Sequence, residues 1–286
     1  MAKIVDGKAI AQQIYKRLTK QVNELVQHGQ PPKLGVILVG NDQPSHTYVR
    51  RKGEAAKKIG VGFLLKTLPA STTTEQLLQI VQQLQTKRYG LTGLIVQLPL
   101  PRQINTGKIL EAINPQIDVD CLTQTNLGKL ISGSYWLTPP TPGAILEILK
   151  YYKITVSGKK IVIIGAGALV GRPLANLLIH NQATVSVLNR STPSLRDYTK
   201  SADIIVTGVG KYPILTGNMI KRGAVVVDAG VSFIKGKMYG DIDFGSIAKK
   251  ASVVTPTPGG VGPLTVAKLI DNTVKCTIKK YNQTKR

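Results

Sequence analysis

The chain is poor in several residue types, and each shortage narrows what it can be. Cysteine occurs only as Cys121 and Cys276, with no CxxC and no ligand spacing. That argues against a disulfide framework or a zinc site, and a reducing compartment such as the cytoplasm is the simplest reading. Aromatic residues make up 5% of the sequence, too few for a platform on which bases could stack. The longest apolar stretch, Ile161 to Gly171, falls short of the roughly 20 residues needed to span a bilayer, which predicts no membrane segment. The N-terminus carries Lys3, Asp6 and Lys8 where a secretory signal would need an apolar block.

Acidic residues are also scarce, 15 against 38 lysines and arginines, which leaves a formal charge of +23. Basic pairs such as Arg50-Arg51, Lys57-Lys58 and Lys249-Lys250 are scattered rather than gathered into one tract. With so few aromatics, this pattern favours a solvated surface that attracts anionic ligands over a dedicated nucleic-acid surface. The 42% hydrophobic content is that of an ordinary globular protein.

Apolar periodicity predicts two α/β domains. Ile10, Ile14, Leu18, Val22 and Leu25 recur at helical spacing, and Leu34–Val39 is a continuous apolar run of the kind buried on both faces of a sheet. A helix over about 45–59 and a strand over 63–68 follow. Thr72 with Glu75 has capping-box spacing and opens a helix that runs to about Arg88. The strand at Leu94–Val96 ends in Gln97-Leu98-Pro99-Leu100-Pro101. Residues 114–142 are rich in proline and glycine, a poor setting for a long regular element. The alternation restarts with a helix over about 142–152 and strands at 161–164, 184–188, 204–207 and 224–228. A hairpin is predicted over 231–239, turning at Lys235-Gly236, and a last helix over about 265–280. Alternation of this kind implies a parallel sheet with helices on its faces.

One motif points to a nucleotide. The strand Ile161–Ile164 leads into Gly165-Ala166-Gly167-Ala168-Leu169-Val170-Gly171 and then a helix. Glycines there let the backbone approach a pyrophosphate, and helix N-terminal amides receive its charge. The GxGxxxG spacing is also compatible with nothing more than a tight strand–helix turn. The next strand ends in Asn189-Arg190-Ser191-Thr192, without the acid that holds the ribose of NAD. An arginine and two hydroxyls suit the 2′-phosphate of NADP, with NAD as the alternative and a solvent-facing loop as the plain reading.

Several dispersed motifs then coincide. Ser45-His46-Thr47-Tyr48-Val49-Arg50-Arg51-Lys52, the Gln97–Pro101 segment, Asp118-Val119-Asp120, Gly240-Asp241-Ile242-Asp243-Phe244 and the Thr255–Thr265 Pro/Gly segment occur in order. In this the chain resembles the bifunctional methylenetetrahydrofolate dehydrogenase/methenyltetrahydrofolate cyclohydrolase family over essentially its whole length. The resemblance implies a catalytic folate-binding α/β domain over 1–139, with residues 272–286 packing on it. It further implies a Rossmann-type NADP-binding domain over 140–271, a cleft between the two, and a homodimer. Its substrates would be tetrahydrofolate derivatives, including polyglutamylated ones. Lys52 is the implied central catalytic residue, with Gln97 tuning it, Tyr48 ordering the folate and Asp120 holding the pterin. Val96, Leu98, Pro256, Pro258, Gly259 and Gly260 carry over as substrate contacts. Gly165, Ala166, Gly167, Val170, Gly171, Arg190, Ser191, Gly210 and Val231 carry over as cofactor contacts. No metal is implied.

The residue types suit that chemistry. Tyr48 and Lys52 are four apart and share a helix face. A free lysine titrates near 10.4, and burial or a neighbouring cation would bring its value toward the pH at which protons must move. Gln97 can bond either form of the amine, and Asp120 can accept from the amino and ring N–H groups of a pterin. Taken singly, Lys52 reads as a basic surface residue, Gln97 as a strand-end cap and Asp120 as a loop tie. There are departures from the family pattern: Gly165-Ala166-Gly167 where GRS is usual, Leu188-Asn189-Arg190 where CHS is usual, Cys121-Leu122 where Gly-Phe is usual, and Pro140 in place of the PCTP cysteine. The expectation is that Arg190 compensates for the arginine lost from the glycine turn. A dehydrogenase-only folate enzyme or a shikimate dehydrogenase-like enzyme would share the architecture. Retention of Lys52 favours the bifunctional reading over the first, and the Gln97–Pro101 and Thr255–Thr265 segments favour it over the second.

Overall fold

The computed structural model describes residues 1–284. Its elements run β1 (Lys3–Ile4), α1 (Gly7–Gln27), β2 (Lys33–Val39), α2 (Gln43–Lys58), β3 (Gly62–Leu68), α3 (Thr74–Leu84), β4 (Gly93–Val96), α4 (Thr106–Glu111), α5 (Gln124–Ser132) and α6 (Pro140–Tyr151). They continue with β5 (Lys160–Ile164), α7 (Gly171–His180), β6 (Thr184–Leu188), α8 (Leu195–Thr199), β7 (Ile204–Thr207), β8 (Val225–Asp228), β9 (Ser232–Ile234), β10 (Lys237–Tyr239), α9 (Phe244–Ala248), β11 (Val253–Val254) and α10 (Val261–Thr284). The chain divides into two units, one built from Met1–Gln12 with Thr141–Thr265, the other from Gln13–Pro140 with the chain from Val266 onward. Positions 285 and 286 of the C-terminal segment predicted over 272–286 lie outside the described residues. Among those described, no helix is long and apolar enough to cross a membrane.

In the unit containing residues 13–140, three parallel strands lie in the order β3-β2-β4. β2 is central because six of its seven residues are buried, an apolar run that only a strand covered on both faces can hide. β3 and β4 flank it on opposite sides, so a topological switch point falls at the carboxyl end of β2. In an open α/β sheet that crevice is where ligands bind. α3 and α4 bury Leu77, Val81 and Ile109 against Ile37, Val39, Leu94 and Val96. Each such side chain contributes roughly 1.5–3 kcal/mol when taken out of water.

The other unit carries six parallel strands in the order β1-β11-β8-β7-β5-β6. Here the order reverses at β5, whose carboxyl end holds the glycine turn. Val162, Ile164, Ile205, Val226, Val254 and Leu215 form its core. The first strand belongs to this sheet, since Lys3 and Ile4 pair with Val253 and Val254. β9 and β10 form the expected antiparallel hairpin.

Three element boundaries differ from the sequence expectation. The capping box is Thr73 with Gln76, not Thr72 with Glu75. The Thr72 hydroxyl instead donates to Pro69 O at 2.7 Å, which leaves Thr73 as the cap. α3 ends at Leu84, short of Arg88, and a single tight turn over Lys87–Tyr89 closes on Gly90 in the left-handed region. α10 begins at Val261, with Pro263 in its first turn where a missing N–H costs nothing. The Pro/Gly-rich stretch at 114–142 also holds a short helix, α5, capped by Thr123 at one end and by left-handed Gly133 at the other.

Candidate active site

α2 is started by Asp42, whose carboxylate accepts the Ser45 N–H at 2.9 Å, with Pro44 in the first turn. Its i, i+4 spacing stacks Tyr48 beneath Lys52, and the Lys52 Nζ lies 5.5 Å from the Tyr48 ring centroid. Lys52 is only 6% exposed, unlike its neighbours Arg50 and Arg51 on the same helix. Its Nζ donates to Gln97 Oε1 at 2.9 Å. Gln97 leaves the end of β4, and its own Nε2 donates to Leu98 O at 2.7 Å, which turns the carbonyl end of the amide toward the lysine. Leu98-Pro99 is a cis peptide, Leu98 is half-buried and Val96 is buried at the end of β4.

Asp120 completes the group. It is half-buried and close enough to Lys52 for each charge to act on the other. Burial pushes the Lys52 ammonium below the ordinary lysine range, with Asp120 pulling the other way. Burial likewise raises the Asp120 carboxyl, opposed by Lys52 and reinforced by the negative charge of Asp118. The loop that presents Asp120 is fixed by Asp118, which accepts Leu122 N at 3.2 Å and Thr123 N, Thr123 Oγ1 and Asn126 Nδ2 each at 2.9 Å. Asn272 on α10 donates its Nδ2 to Val119 O at 2.8 Å, from the other side of the same loop. Sequence reasoning quoted Asp118 only as part of a motif and passed over Asn272. Asn272 stands between Asp271 and Thr273, so nothing in the local pattern of the last helix singled it out.

The other predicted substrate contacts belong to the six-stranded unit. Pro256, Pro258, Gly259 and Gly260 follow β11, with a cis Thr257-Pro258 bond and Gly259 at φ 105°. Gly260 N donates to Pro256 O at 2.9 Å, and Gly259 O accepts Gly7 N at 3.0 Å. A Cβ on Gly7 would collide with the backbone of Gly259 and Gly260, so this segment folds tightly over the start of α1.

The predicted cofactor residues gather at the carboxyl ends of β5, β6, β7 and β8. Gly165 has φ 117°, and a Cβ there would meet Gly208 O and Val209 Cγ1 at 2.8 Å. A Cβ on Gly171 would collide with Gly165 O, whereas Gly167 faces open space. Ala166 and Val170 are half-buried, Val170 being the residue from which α7 starts without a side-chain cap. Gly165 N donates to Leu188 O at 2.9 Å, which brings the end of β6 beside the turn. There Asn189 Oδ1 accepts Ser191 N at 2.9 Å and Thr192 Oγ1 accepts Asn189 N at 3.1 Å, leaving Arg190 and Ser191 exposed at the tip. Gly210, at φ 68°, has room for a Cβ only within 3.2 Å of Val231 O, so those two loops touch. Glycine is required at 165 and 171, a free face remains at 167, and no acid stands at the end of β6. That donor set fits a dinucleotide with a 2′-phosphate. Among the described residues no group of three or more His, Cys, Asp or Glu could hold a metal.

Comparison with known proteins gives the family. Residues 5–120 match the family model of the tetrahydrofolate dehydrogenase/cyclohydrolase catalytic domain, and residues 139–281 match that of its NAD(P)-binding domain. The bifunctional protein FolD of Lactobacillus delbrueckii subsp. bulgaricus is 41% identical over 281 residues, 98% of this chain and 99% of that one. The solved bifunctional FolD enzyme of Campylobacter jejuni is 40% identical, with a TM-score of 0.94 over 98% of this chain and 100% of its own. FolD of Trypanosoma brucei, solved with NADP cofactor and an inhibitor, is 35% identical with a TM-score of 0.94, over 98% of each chain.

Proposed function

Since the chain belongs to the tetrahydrofolate dehydrogenase/cyclohydrolase family, we propose that it oxidises 5,10-methylenetetrahydrofolate to 5,10-methenyltetrahydrofolate with NADP and hydrolyses the product to 10-formyltetrahydrofolate. The observation that carries the reading is a buried amine, Lys52, bonded to Gln97 and faced by Asp120 and the Tyr48 ring. A lysine with no chemical task would keep its ammonium in water, because burying a charge is costly.

NADP, when bound, supplies the acceptor for the hydride that leaves the methylene carbon. The remaining steps fall to the chain's own residues. Water adds to the methenyl carbon and must lose a proton; the carbon–nitrogen bond that opens must gain one. Lys52, with its ammonium weakened by burial, takes the first proton as the free amine and returns one to the departing ring nitrogen. The reaction as a whole releases one proton. The Gln97 carbonyl accepts an N–H from either form of the amine, so the lone pair that collects the proton stays directed away from it. Asp120 accepts from the pterin's amino and ring N–H groups, and Tyr48 orders the ring over α2. Val96, Leu98, Pro256, Pro258, Gly259 and Gly260 shape the substrate surface.

We assign the folate chemistry to the unit of residues 13–140 with the C-terminal segment from 266, and the nucleotide to the unit of residues 141–265 with 1–12. The turn Gly165–Gly171, with Ala166, Gly167 and Val170, cradles the pyrophosphate, and Gly210 and Val231 line the far end of the dinucleotide. Arg190 and Ser191 meet the 2′-phosphate. If they do, Arg190→Ala lowers the preference for NADP over NAD; an unchanged preference removes that assignment. The charge of +23 suits anionic ligands, NADP and polyglutamylated folates alike. A homodimer is supported by the exposed apolar side chains of Val231, Phe233 and Ile234 on and beside the hairpin. A cytoplasmic location is supported by two free thiols, Cys121 and Cys276.

The decisive experiment follows two signals in wild type and Lys52→Met. Reduction of NADP with methylenetetrahydrofolate reports the oxidation, and decay of methenyltetrahydrofolate reports the hydrolysis. Equal decay at the uncatalysed rate in both proteins would leave a dehydrogenase alone.

A further inference from the structure

Two buried carboxylates, Asp228 and Asp241, have no part in that chemistry, yet they are 2% and 0% exposed. Asp228 ends β8. Its Oδ1 accepts the Thr207 hydroxyl at 3.0 Å and Gly230 N at 2.9 Å, and its Oδ2 accepts Asp241 N at 2.8 Å and Ile242 N at 3.3 Å. Asp241, thus held, turns its own carboxylate onto the loop after β7. Val209 N donates to it at 2.7 Å and Lys211 N at 2.8 Å, and the Gly210 N–H points at it as well.

Three successive amides aimed at one point form a concavity for an anion. Here the anion is a side chain of the protein. Glycine is obligatory around the pair, because a Cβ on Gly230 would collide with the Asp241 carboxylate and one on Gly240 with that of Asp228. The loops after β7 and β8 and the segment entering α9 are therefore locked together through two acids. The glycine turn rests on the same loop, since Gly165 packs against Gly208 and Val209.

From this geometry we propose that Asp228 and Asp241 are positioning residues that hold the Gly210 and Val231 loops in the shape the dinucleotide requires before it arrives. The inference rests on the nucleotide reading of those loops given above. Without the lock, binding must also order the 208–211 loop, and that ordering weakens affinity. Leaving a buried N–H unpaired is costly, so the loop would leave its observed path once Asp241 stops accepting.

The test is direct binding of NADPH by titration calorimetry to wild type, Asp241→Asn and Thr207→Val, with hydrolysis of methenyltetrahydrofolate measured on the same samples without nucleotide. Asp241→Asn places one amide where three N–H groups expect a carboxylate, and should weaken NADPH by about tenfold or more. Thr207→Val removes one donor to Asp228 at constant shape and should weaken it by about threefold. Hydrolysis should stay within about twofold of wild type in both, because it depends on Lys52 and not on this lock. NADPH binding by Asp241→Asn as tight as wild type overturns the proposal. If Asp241→Asn loses both binding and hydrolysis, Thr207→Val decides: unchanged affinity overturns the proposal, weakened affinity with hydrolysis intact upholds it. Failure of wild type to bind NADPH would instead strike the cofactor reading itself, and this inference with it.

Discussion

Two clusters of buried charge show opposite designs. Asp228 and Asp241 are saturated, with four donors on the first and the amides of a whole turn on the second. Lys52 is buried and Asp120 half-buried, but the Lys52 amine donates to Gln97 alone among the described residues, and the pair act on each other electrostatically. A fully satisfied buried network rigidifies, whereas a sparsely satisfied one leaves protons free to move and bonding capacity for a ligand. The loop of Asp118-Val119-Asp120 contains both designs two residues apart: Asp118 is saturated and holds the loop, while Asp120 is left poised at its tip.

The comparison breaks most readily at Lys52. Lys52→Met removes the proton carrier while keeping much of the side chain's shape, and hydrolysis should fall by about 10²–10⁴-fold. Asp120 then loses its cationic partner, but burial already favours its neutral form, so the stability cost should stay small. Activity lost together with a large drop in the urea midpoint would mean that Lys52 supports the fold rather than the chemistry. Asp118→Ala should show the reverse order of effects. It strands three N–H donors and a hydroxyl at a site 1% exposed, and about 3 kcal/mol or more of stability should go with them. A loss below about 1 kcal/mol in urea unfolding would show that the loop is held by other contacts.

A finer cut separates the two charges at the site. Asp120 raises the Lys52 value against the pull of burial. In Asp120→Asn burial acts alone, so Lys52 gives up its proton at lower pH, and the lysine limb of the pH profile of hydrolysis should move to lower pH. The variant will also bind folate less well, so the profile is to be taken at saturating substrate. A limb that stays in place, or moves upward, contradicts the pairing.

The sequence made the poised residues easier to find than the saturated ones. Tyr48, Lys52, Gln97 and Asp120 stand in motifs whose order is itself a signal, and the strands around them announce themselves as apolar runs such as Leu34–Val39. The saturated acids are legible only once folded. Asp228 closes an ordinary Val-Val-Val-Asp strand, and its donors come from residues 2 to 21 positions away. The membership of β1 in the six-stranded sheet depends on a pairing of Lys3 and Ile4 with residues 250 positions on, for which two residues carry no local pattern. The cap of α3 was ambiguous for a different reason: Thr72, Thr73, Glu75 and Gln76 offer two overlapping boxes, and only the Thr72 bond to Pro69 O separates them. The departure at Cys121 acquires a physical meaning as well. Its φ is 58°, a left-handed conformation in which the glycine usual in the family would sit without strain.

Cys121 also supplies the smallest effect, one predicted to be nil. It directly follows Asp120, and its thiol is buried; burial and then the negative charges of Asp118 and Asp120 push it well above the ordinary cysteine value. Cys276 is held up to about 12, mainly by burial, with Asp118 adding to it. Thiolate is the reactive form, and at pH 8 a group titrating near 12 is ionised in only about one molecule in 10⁴. Asp120, which keeps Lys52 charged more readily than burial alone would allow, therefore adds to the burial that keeps the adjacent sulfur protonated. Native protein should show no thiol reaction with an aromatic disulfide reagent on the timescale of the folate assays, and two equivalents after denaturation. Rapid labelling of one thiol in the native state would mean that the loop carrying Asp120 opens to solvent, and that its poise is dynamic rather than built in.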